Sequence, residues 1–338
     1  MKQTSVDVLI TFYNQEQFVD PAISSVIGQK GDFELHILVG DDGSDDQTVL
    51  MIRKWMQRFP NTIRLFQMPR SEGTAYVGGF RASDNRLNLL RHVSSDYFIF
   101  LDGDDYFDDE NKLQIQLTAL EKPENRDCIA CGHLLDAIYK DGTRETYAPL
   151  FPPEERKYTL REYWSRGYVS TDTLLARSSA ISSIPTDLVE HNFNDNLITF
   201  TILRQGKLYY IPKSMAVYRR TDDGIWTGST GIIQNLRNIF LYDLVMRLEP
   251  SLAKENGLRF AGSWEYLYQN RHMIRAEDLT PYRREAKEKD LKYSTLWIEY
   301  HSLNSEQKTD LLSRYMKIEV SRLWRGLLRR ARQLHSGR

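Results

Sequence analysis

Three polar clusters that carry carboxylates stand out because each adjoins a segment that would hold it in place. The first is Asp41-Asp42-Gly43-Ser44-Asp45, after the apolar run Phe33-Glu34-Leu35-His36-Ile37-Leu38-Val39. A carboxylate at such a tip can accept the N–H of a pyrimidine ring or a ribose hydroxyl, as acidic residues do in dinucleotide folds. An ordinary solvated Asp-Gly-Ser turn has the same composition. The second is Asp102-Gly103-Asp104-Asp105, after Tyr97-Phe98-Ile99-Phe100-Leu101. Two carboxylates flanking one small residue can hold a hard divalent cation, Mg²⁺ or Mn²⁺, from one side, leaving positions for water and phosphate oxygens. Such a cation offsets the charge that builds on a departing diphosphate. Taken alone, this D-x-D reads equally as an acidic surface turn. The third is His191-Asn192-Phe193-Asn194-Asp195-Asn196, before an apolar stretch ending at Gly206. Asp195 at a helix start is stabilised as an anion by the helix dipole and could take a proton from a hydroxyl. Helix capping by Asn194 or Asp195 is compatible with that role.

These residues need elements to position them. Val6-Asp7-Val8-Leu9-Ile10-Thr11-Phe12 reads as a central parallel strand. Pro21 sits in the first turn of the helix that follows, which carries Ala22, Ile23, Val26 and Ile27 on one face. Ser44 is placed to cap the next helix, with Val49, Ile52, Trp55, Met56 and Phe59 at helical spacing. Ile63-Arg64-Leu65-Phe66 is a third strand, a helix with Leu87, Leu90 and Val93 follows, and Tyr97–Leu101 is the fourth strand. This alternation predicts an α/β fold with a parallel sheet and right-handed crossovers. Ligands then bind beyond the carboxyl ends of the strands, where the first two clusters fall. Shorter strands are expected at Leu208–Ile211 and Met215–Tyr218, and a charged helical extension from about Ile232.

Bulk properties narrow the function classes. The chain has 338 residues, with 45 Lys+Arg against 46 Asp+Glu, a net charge of −1. That balance and the lack of a recognition motif argue against nucleic-acid binding. No apolar run reaches the ~18 residues needed to span a bilayer, and no signal peptide is read before the first strand. The expectation is a cytoplasmic protein. Cys128 and Cys131 are the only cysteines; with no second pair for zinc, Asp127-Cys128-Ile129-Ala130-Cys131 reads as a buried strand.

Taken together, the segments resemble the family 2 inverting glycosyltransferases of the GT-A fold. The resemblance is carried by V-D-V-L-I-T-F-Y-N-Q-E (6–16), D-D-G-S-D-D (41–46), D-Y-F-I-F-L-D-G-D-D (96–105), N-D-N-L-I-T-F-T-I-L-R-Q-G-K (194–207) and Y-I-P-K-S-M-A-V-Y-R (210–219), across roughly residues 5–225. It implies a GT-A, Rossmann-like, mostly parallel sheet with flanking helices over residues 1–230 and a helical extension over 231–338. By position, Thr11, Tyr13 and Asp42 would meet the base and ribose of a nucleotide sugar, with Glu16 supporting that loop. Asp102 would contact the donor sugar or ribose, Asp104 would bind Mn²⁺ or Mg²⁺, and Asp195 would deprotonate the acceptor.

The implied reaction transfers a sugar, from a UDP-linked donor, to a hydroxyl of a glycan or lipid-linked acceptor in surface polysaccharide synthesis. Three positions depart from the family pattern. Asn194 replaces a Glu, the 71–88 segment is long with Arg86 and Asn88 as its nearest R-N equivalents, and Arg220-Thr221 stand where relatives place a metal-binding His. A nucleotidyltransferase would carry a Gly-rich phosphate loop after strand one, and Phe12-Tyr13-Asn14-Gln15-Glu16 has no glycine. A non-catalytic nucleotide-sugar-binding or scaffold protein remains the alternative.

Residues 317–338 hold seven Lys or Arg and one acid, Glu319, with Val320, Leu323, Leu327, Ala331 and Leu334 recurring at threes and fours beside Trp324. This basic amphipathic pattern suits either an anionic membrane surface, at the inner face of the membrane, or a helix docked on the catalytic domain.

Overall fold

The computed structural model describes residues 3–68, 78–147, 154–221 and 229–291. The basic tail and residues 71–77 of the long 71–88 segment lie outside them. The chain forms two compact units, Met1–Arg271 and His272–Arg338.

In the first unit, β1 (Ser5–Phe12), β2 (Glu34–Asp41), β3 (Ile63–Gln67) and β4 (Tyr97–Asp102) are the four strands expected from the apolar runs. They lie parallel in the order β3-β2-β1-β4. Helices α1 (Glu16–Ile27), α2 (Thr48–Arg58) and α3 (Gly78–Leu90) make the crossovers, α1 starting early enough that Pro21 lies inside it and not in its first turn. Alternation splits each strand's side chains between two cores. Val6, Val8, Ile10 and Phe12 join Ile23, Val26, Ile52 and Ile99 in one cluster, each burial contributing roughly 1.5–3 kcal/mol.

Beyond β4 the sheet becomes mixed. The next elements are β5 (Tyr106–Phe107), α4 (Lys112–Glu121), β6 (Cys128–Ile138), β7 (Arg144–Tyr147) and β8 (Arg156–Tyr158). After α5 (Leu160–Arg166) come β9 (Leu175–Arg177), the single turn α6 (Thr186–Val189), α7 (Asp195–Leu203) and β10 (Lys207–Arg219). The sheet continues β4-β9-β6-β10-β5, with β9 antiparallel to both neighbours and β6 parallel to β10. The two short strands expected near 208–218 are one strand: Pro212-Lys213-Ser214 interrupts the register without ending it, shifting the pairing between Ile211 and Ser214. Cys128 and Cys131 are buried free thiols in β6, as the strand reading requires. Burial, with the neighbouring Asp127 charge, pushes Cys128 up to about 11.

Helices α8 (Gly231–Leu248) and α9 (Ala253–Gln269) complete the first unit. The second unit contains α10 (Ala276–Glu288), whose first turn is held by Asp278 accepting from Arg275 N–H at 3.0 Å. Among the described residues, no helix is long and apolar enough to cross a membrane.

Candidate active site

Parallel pairing sets the carboxyl ends of β2, β1 and β4 side by side: Thr11 is in register with Gly40 on one side and Asp102 on the other. Side chains then lace the tips together. Asn14 adopts φ 50°, which Asn tolerates better than most residues. Its N–H donates to Ser44 Oγ at 2.9 Å, and its Oδ1 accepts from Asp45 N–H at 3.0 Å. Glu16 Oε2 accepts from Gln47 N–H at 2.9 Å, and Asp46 accepts from Glu16 N–H and Thr48 N–H at 3.1 and 2.9 Å. Ser44 is therefore not the cap of α2. Its hydroxyl is committed to Asn14, and Asp46 serves the helix start instead.

The adjacent carboxylates Asp41 and Asp42 part company. Asp41 is fully buried and accepts the N–H groups of Gly43 and Ser44, closing the turn. Asp42, also buried, forms an ion pair with Arg81 of α3. Tyr13, on the adjoining tip of β1, is half-buried, its N–H donating to Gln15 Oε1 at 3.4 Å.

The turn after β4 is equally constrained. A Cβ on Gly103 would lie 2.3 Å from Phe12 Cδ1 and 2.6 Å from Gln15 Oε1, so only glycine lets the acidic turn pass this close to the tip of β1. Thr11 Oγ1 lies 3.4 Å from Asp102 Oδ1. Arg86 Nη2 donates to both Asp102 oxygens at 2.7 and 2.8 Å. Burial, then repulsion from Asp102, pushes Asp104 up to about 6, against an ordinary value near 3.9. Asp105 is fully buried: Oδ1 accepts Arg219 N–H from β10 at 2.7 Å, and Oδ2 has no hydrogen-bond partner among the described residues.

Asp195 opens α7, and Asn194 is the cap, its Oδ1 accepting from Leu197 N–H at 3.2 Å. Such a cap contributes ~1 kcal/mol and sends the Asp195 side chain back toward β4. There Arg86 Nη1 lies 3.3 Å from Asp195 Oδ1, and Tyr168 Oη donates to Oδ2 at 3.0 Å. One guanidinium thus joins the second and third acidic clusters. Burial raises the Asp195 pKa, the Arg86 charge opposes it, and Asp102 adds to the rise. Burial alone would lower Arg86, but Asp102 and Asp195 more than reverse this and hold it above its ordinary value.

Carboxylate oxygens of Asp102, Asp105 and Asp172 lie within 4.8 Å of one another. An all-oxygen set with one unpartnered buried oxygen fits a hard divalent cation. Asp172 was not legible as part of this set. It is 1% exposed, and burial followed by the charges of Asp102 and Asp195 pushes it up to about 7.

The description "Glycosyl transferase family 2" belongs to a family model that matches residues 7–184, more than half of the chain. The chain belongs to glycosyl transferase family 2. Among curated family relatives, an uncharacterized protein of Mycobacterium tuberculosis, Rv1520, is 26% identical over 221 residues, covering 63% of this chain and 58% of that protein. The chain therefore spans about three fifths of the length of that relative. A poly(ribitol-phosphate) beta-glucosyltransferase of Bacillus spizizenii is 26% identical over 112 residues, 32% of this chain and 16% of that protein. The solved structure of S. aureus TarS 1-349 in complex with UDP superposes with a TM-score of 0.56 at 14% identity, covering 88% of this chain and 91% of that one. The likeness confirms the GT-A fold class.

The structure brings Thr11, Asp102 and Asp104 of the matched residues, and Asp195 beyond them, to one edge of the sheet. Tyr13, Glu16 and Asp42 lie on the adjoining β1 and β2 tips. Sequence reasoning missed Arg81, Tyr168 and Asp172. Arg81 could have been suspected from its place on the α3 segment, one helical turn before Asn85, whose amide donates to Gly40 O at 3.0 Å. Tyr168 and Asp172 lie in a stretch with no periodicity to reveal them.

Proposed function

We propose that the protein is an inverting glycosyltransferase that moves a sugar from a nucleoside diphosphate, UDP above all, to a hydroxyl of a glycan or lipid-linked acceptor in surface glycan synthesis. The observation that carries this reading is the Arg86 link between Asp102 and Asp195 at the carboxyl edge of the sheet. A carboxylate kept next to a guanidinium, at a helix N-terminus, is suited to accept a proton from an alcohol. Asp195 takes the acceptor proton, the freed oxygen bonds to the anomeric carbon, and the bond from that carbon to the diphosphate oxygen breaks. A single displacement of this kind inverts configuration.

Donor binding falls to the tips of β1 and β2. Thr11, Tyr13 and Asp42 would face base and ribose, with Glu16 holding their loop and Asp102 reaching ribose or sugar. Asp104 would bind Mn²⁺ or Mg²⁺ together with Asp102, whose oxygens cluster with those of Asp105 and Asp172, and the cation would supply charge neutralisation of the leaving diphosphate. The UDP of the TarS complex and the glucosyltransferase name of the Bacillus relative support the donor and acceptor classes.

We further propose that residues 317–338 hold the protein at an anionic membrane surface on the cytoplasmic side, beside a lipid-linked acceptor. The test of the central reading is a panel of nucleotide sugars with Mn²⁺, followed by nucleoside diphosphate release and the anomeric configuration of the product. Release that Asp195→Asn abolishes is the expected result. Tight nucleotide-sugar binding without any release, or a retained configuration, overturns it, the former in favour of a scaffold.

A further inference from the structure

The stretch Tyr168-Val169-Ser170-Thr171-Asp172-Thr173 touches both Asp195 and the end of β4. Tyr168 Oη donates to Asp195 Oδ2 at 3.0 Å. Four residues later, Asp172 Oδ1 accepts the backbone N–H of Asp102 at 3.1 Å, and its Oδ2 accepts from Ser170 Oγ at 2.8 Å. The stretch closes on itself: Thr173 N–H and Oγ1 both donate to Ser170 O, at 3.0 and 2.8 Å. Below it, Gln116 Nε2 donates to Thr173 O at 2.8 Å. Thr171, Asp172 and Thr173 are each at most 1% exposed. A turn tied at both ends and packed on all sides has few conformations left.

A carboxylate left alone rotates about its terminal torsion, which is broad. Asp195 has one oxygen beside Arg86 and the other on the Tyr168 hydroxyl. Thr171 Oγ1, in the same stretch, reaches Asp195 Oδ1 only at 3.5 Å, so the tyrosine is the shorter of the two contacts that keep Asp195 from turning both oxygens toward the guanidinium, which already holds Asp102. We propose that residues 168–173 are a strut that fixes Asp195 relative to Asp102, with Tyr168 as the positioning residue and Asp172 as the foot keyed to β4. The inference rests on the reading of Asp195 as the proton acceptor. Tyr168 acts through Asp195, and it stays protonated as a donor because burial, then the Asp195 charge, raises its pKa.

The test uses the full chain with ¹³C-labelled aspartate carboxyls, the Asp195 resonance being the one lost in Asp195→Asn. In Tyr168→Phe the Asp195 midpoint should rise by about one pH unit or more, because a hydrogen bond to the charged form is removed. With a donor that the wild type turns over, kcat should fall about tenfold with the donor KM unchanged, and the acid limb of the pH profile should move with the resonance. UDP affinity should stay within about twofold. Asp172→Ala should lower kcat in the same way, and Asp172→Asn, which keeps the accepting oxygen, should recover most of it. An Asp195 midpoint unmoved in Tyr168→Phe overturns the strut. So does parallel loss of UDP binding and turnover, which marks a general structural role. If the wild type turns over no nucleotide sugar, the proposed function fails, while the resonance shift still decides the strut.

Discussion

Arg86 Nη1 stands 3.3 Å from Asp195 Oδ1 while the other guanidinium nitrogen grips Asp102. Asp102 and Asp195 repel each other, and burial raises the cost of ionising Asp195. A guanidinium between them offsets that repulsion and favours the charged form of Asp195. A lysine ammonium is a point charge and cannot serve both ends with separate nitrogens.

Arg86→Lys and Arg86→Gln are therefore expected to raise the Asp195 pKa. At neutral pH less of the carboxylate is then ionised, so the acid limb of donor turnover should move to higher pH. Gln should move it further than Lys. Because both carboxylates are partly exposed, the stability loss should be near the lower end of the ~3–5 kcal/mol seen for broken buried pairs. A pH–rate profile of both variants measures this, and coincident acid limbs in wild type and Arg86→Gln would count against the bridge.

Cation dependence gives the next prediction. Asp104 has its pKa pushed up to about 6, above the unfolded value near 3.9. The folded metal-free protein therefore holds an extra proton between those values, and this group's stabilisation fades as pH rises through about 6. A ligand must lose that proton, so Mn²⁺ binding should tighten from pH 5 to 7 with proton release. Calorimetry in buffers of different ionisation enthalpy reads the released proton, and Asp104→Asn should bind Mn²⁺ more weakly and lose much of the pH dependence. Full turnover in excess EDTA, or Asp104→Asn turnover equal to wild type, would rule out the assigned role.

How much of this was readable beforehand follows from the physics of each part. The four parallel strands were legible because their apolar runs are bounded by polar tips, and a cap at Asn194 or Asp195 because a cap is a local signal, though only the structure decides for Asn194. The tips of β1 and β2 were legible as polar but not as a laced pair, since Asn14 bonds Ser44 and Asp45 across 30 residues. Ser44 looked like a cap for the same reason: sequence shows its nearness to α2 but not its commitment to Asn14. Asp172 and Tyr168 contribute through partners 70 and 27 residues away, from a turn of mixed polar residues without a period. Beyond β4, antiparallel β9 was not legible at all, because three residues are too few to make a pattern.

For the basic tail, deletion of residues 317–338 should weaken binding to anionic vesicles strongly and to neutral vesicles less. Each Lys or Arg near an anionic surface contributes ~1 kcal/mol, and salt should reproduce part of the loss by screening. Nucleotide binding should survive, because every proposed donor contact lies before residue 230. Vesicle sedimentation at two salt concentrations checks it. Equal binding by the truncated and intact chains would remove the membrane from the account.

The last prediction concerns a cation that the proposed chemistry does not use. Lys112 of α4 is fully buried, with Nζ donating to Gln116 Oε1 at 2.9 Å and lying 3.9 Å from the centre of the Phe107 ring. Gln116 in turn holds Cys131 O and Thr173 O, beneath the strut. Burial drives the Lys112 pKa down to about 7, with the Asp172 charge opposing the fall. Its unfolded value is near 10.4. Between those two values the unfolded chain binds the proton and the folded chain does not, so this group makes stability rise with pH, by up to ~1.4 kcal/mol per pH unit. Below pH 7 the folded protein bears the whole cost of a buried ammonium. Lys112→Met keeps the length of the side chain and removes that cost, so the variant should be more stable than wild type at pH 6.5. The difference should shrink steadily toward pH 9.5. Buried Cys131, whose pKa is raised, acts in the opposite direction in the same window but equally in both proteins. Urea midpoints for the pair across this range give the difference directly. A gap that stays constant with pH would show that Lys112 keeps its proton in the fold.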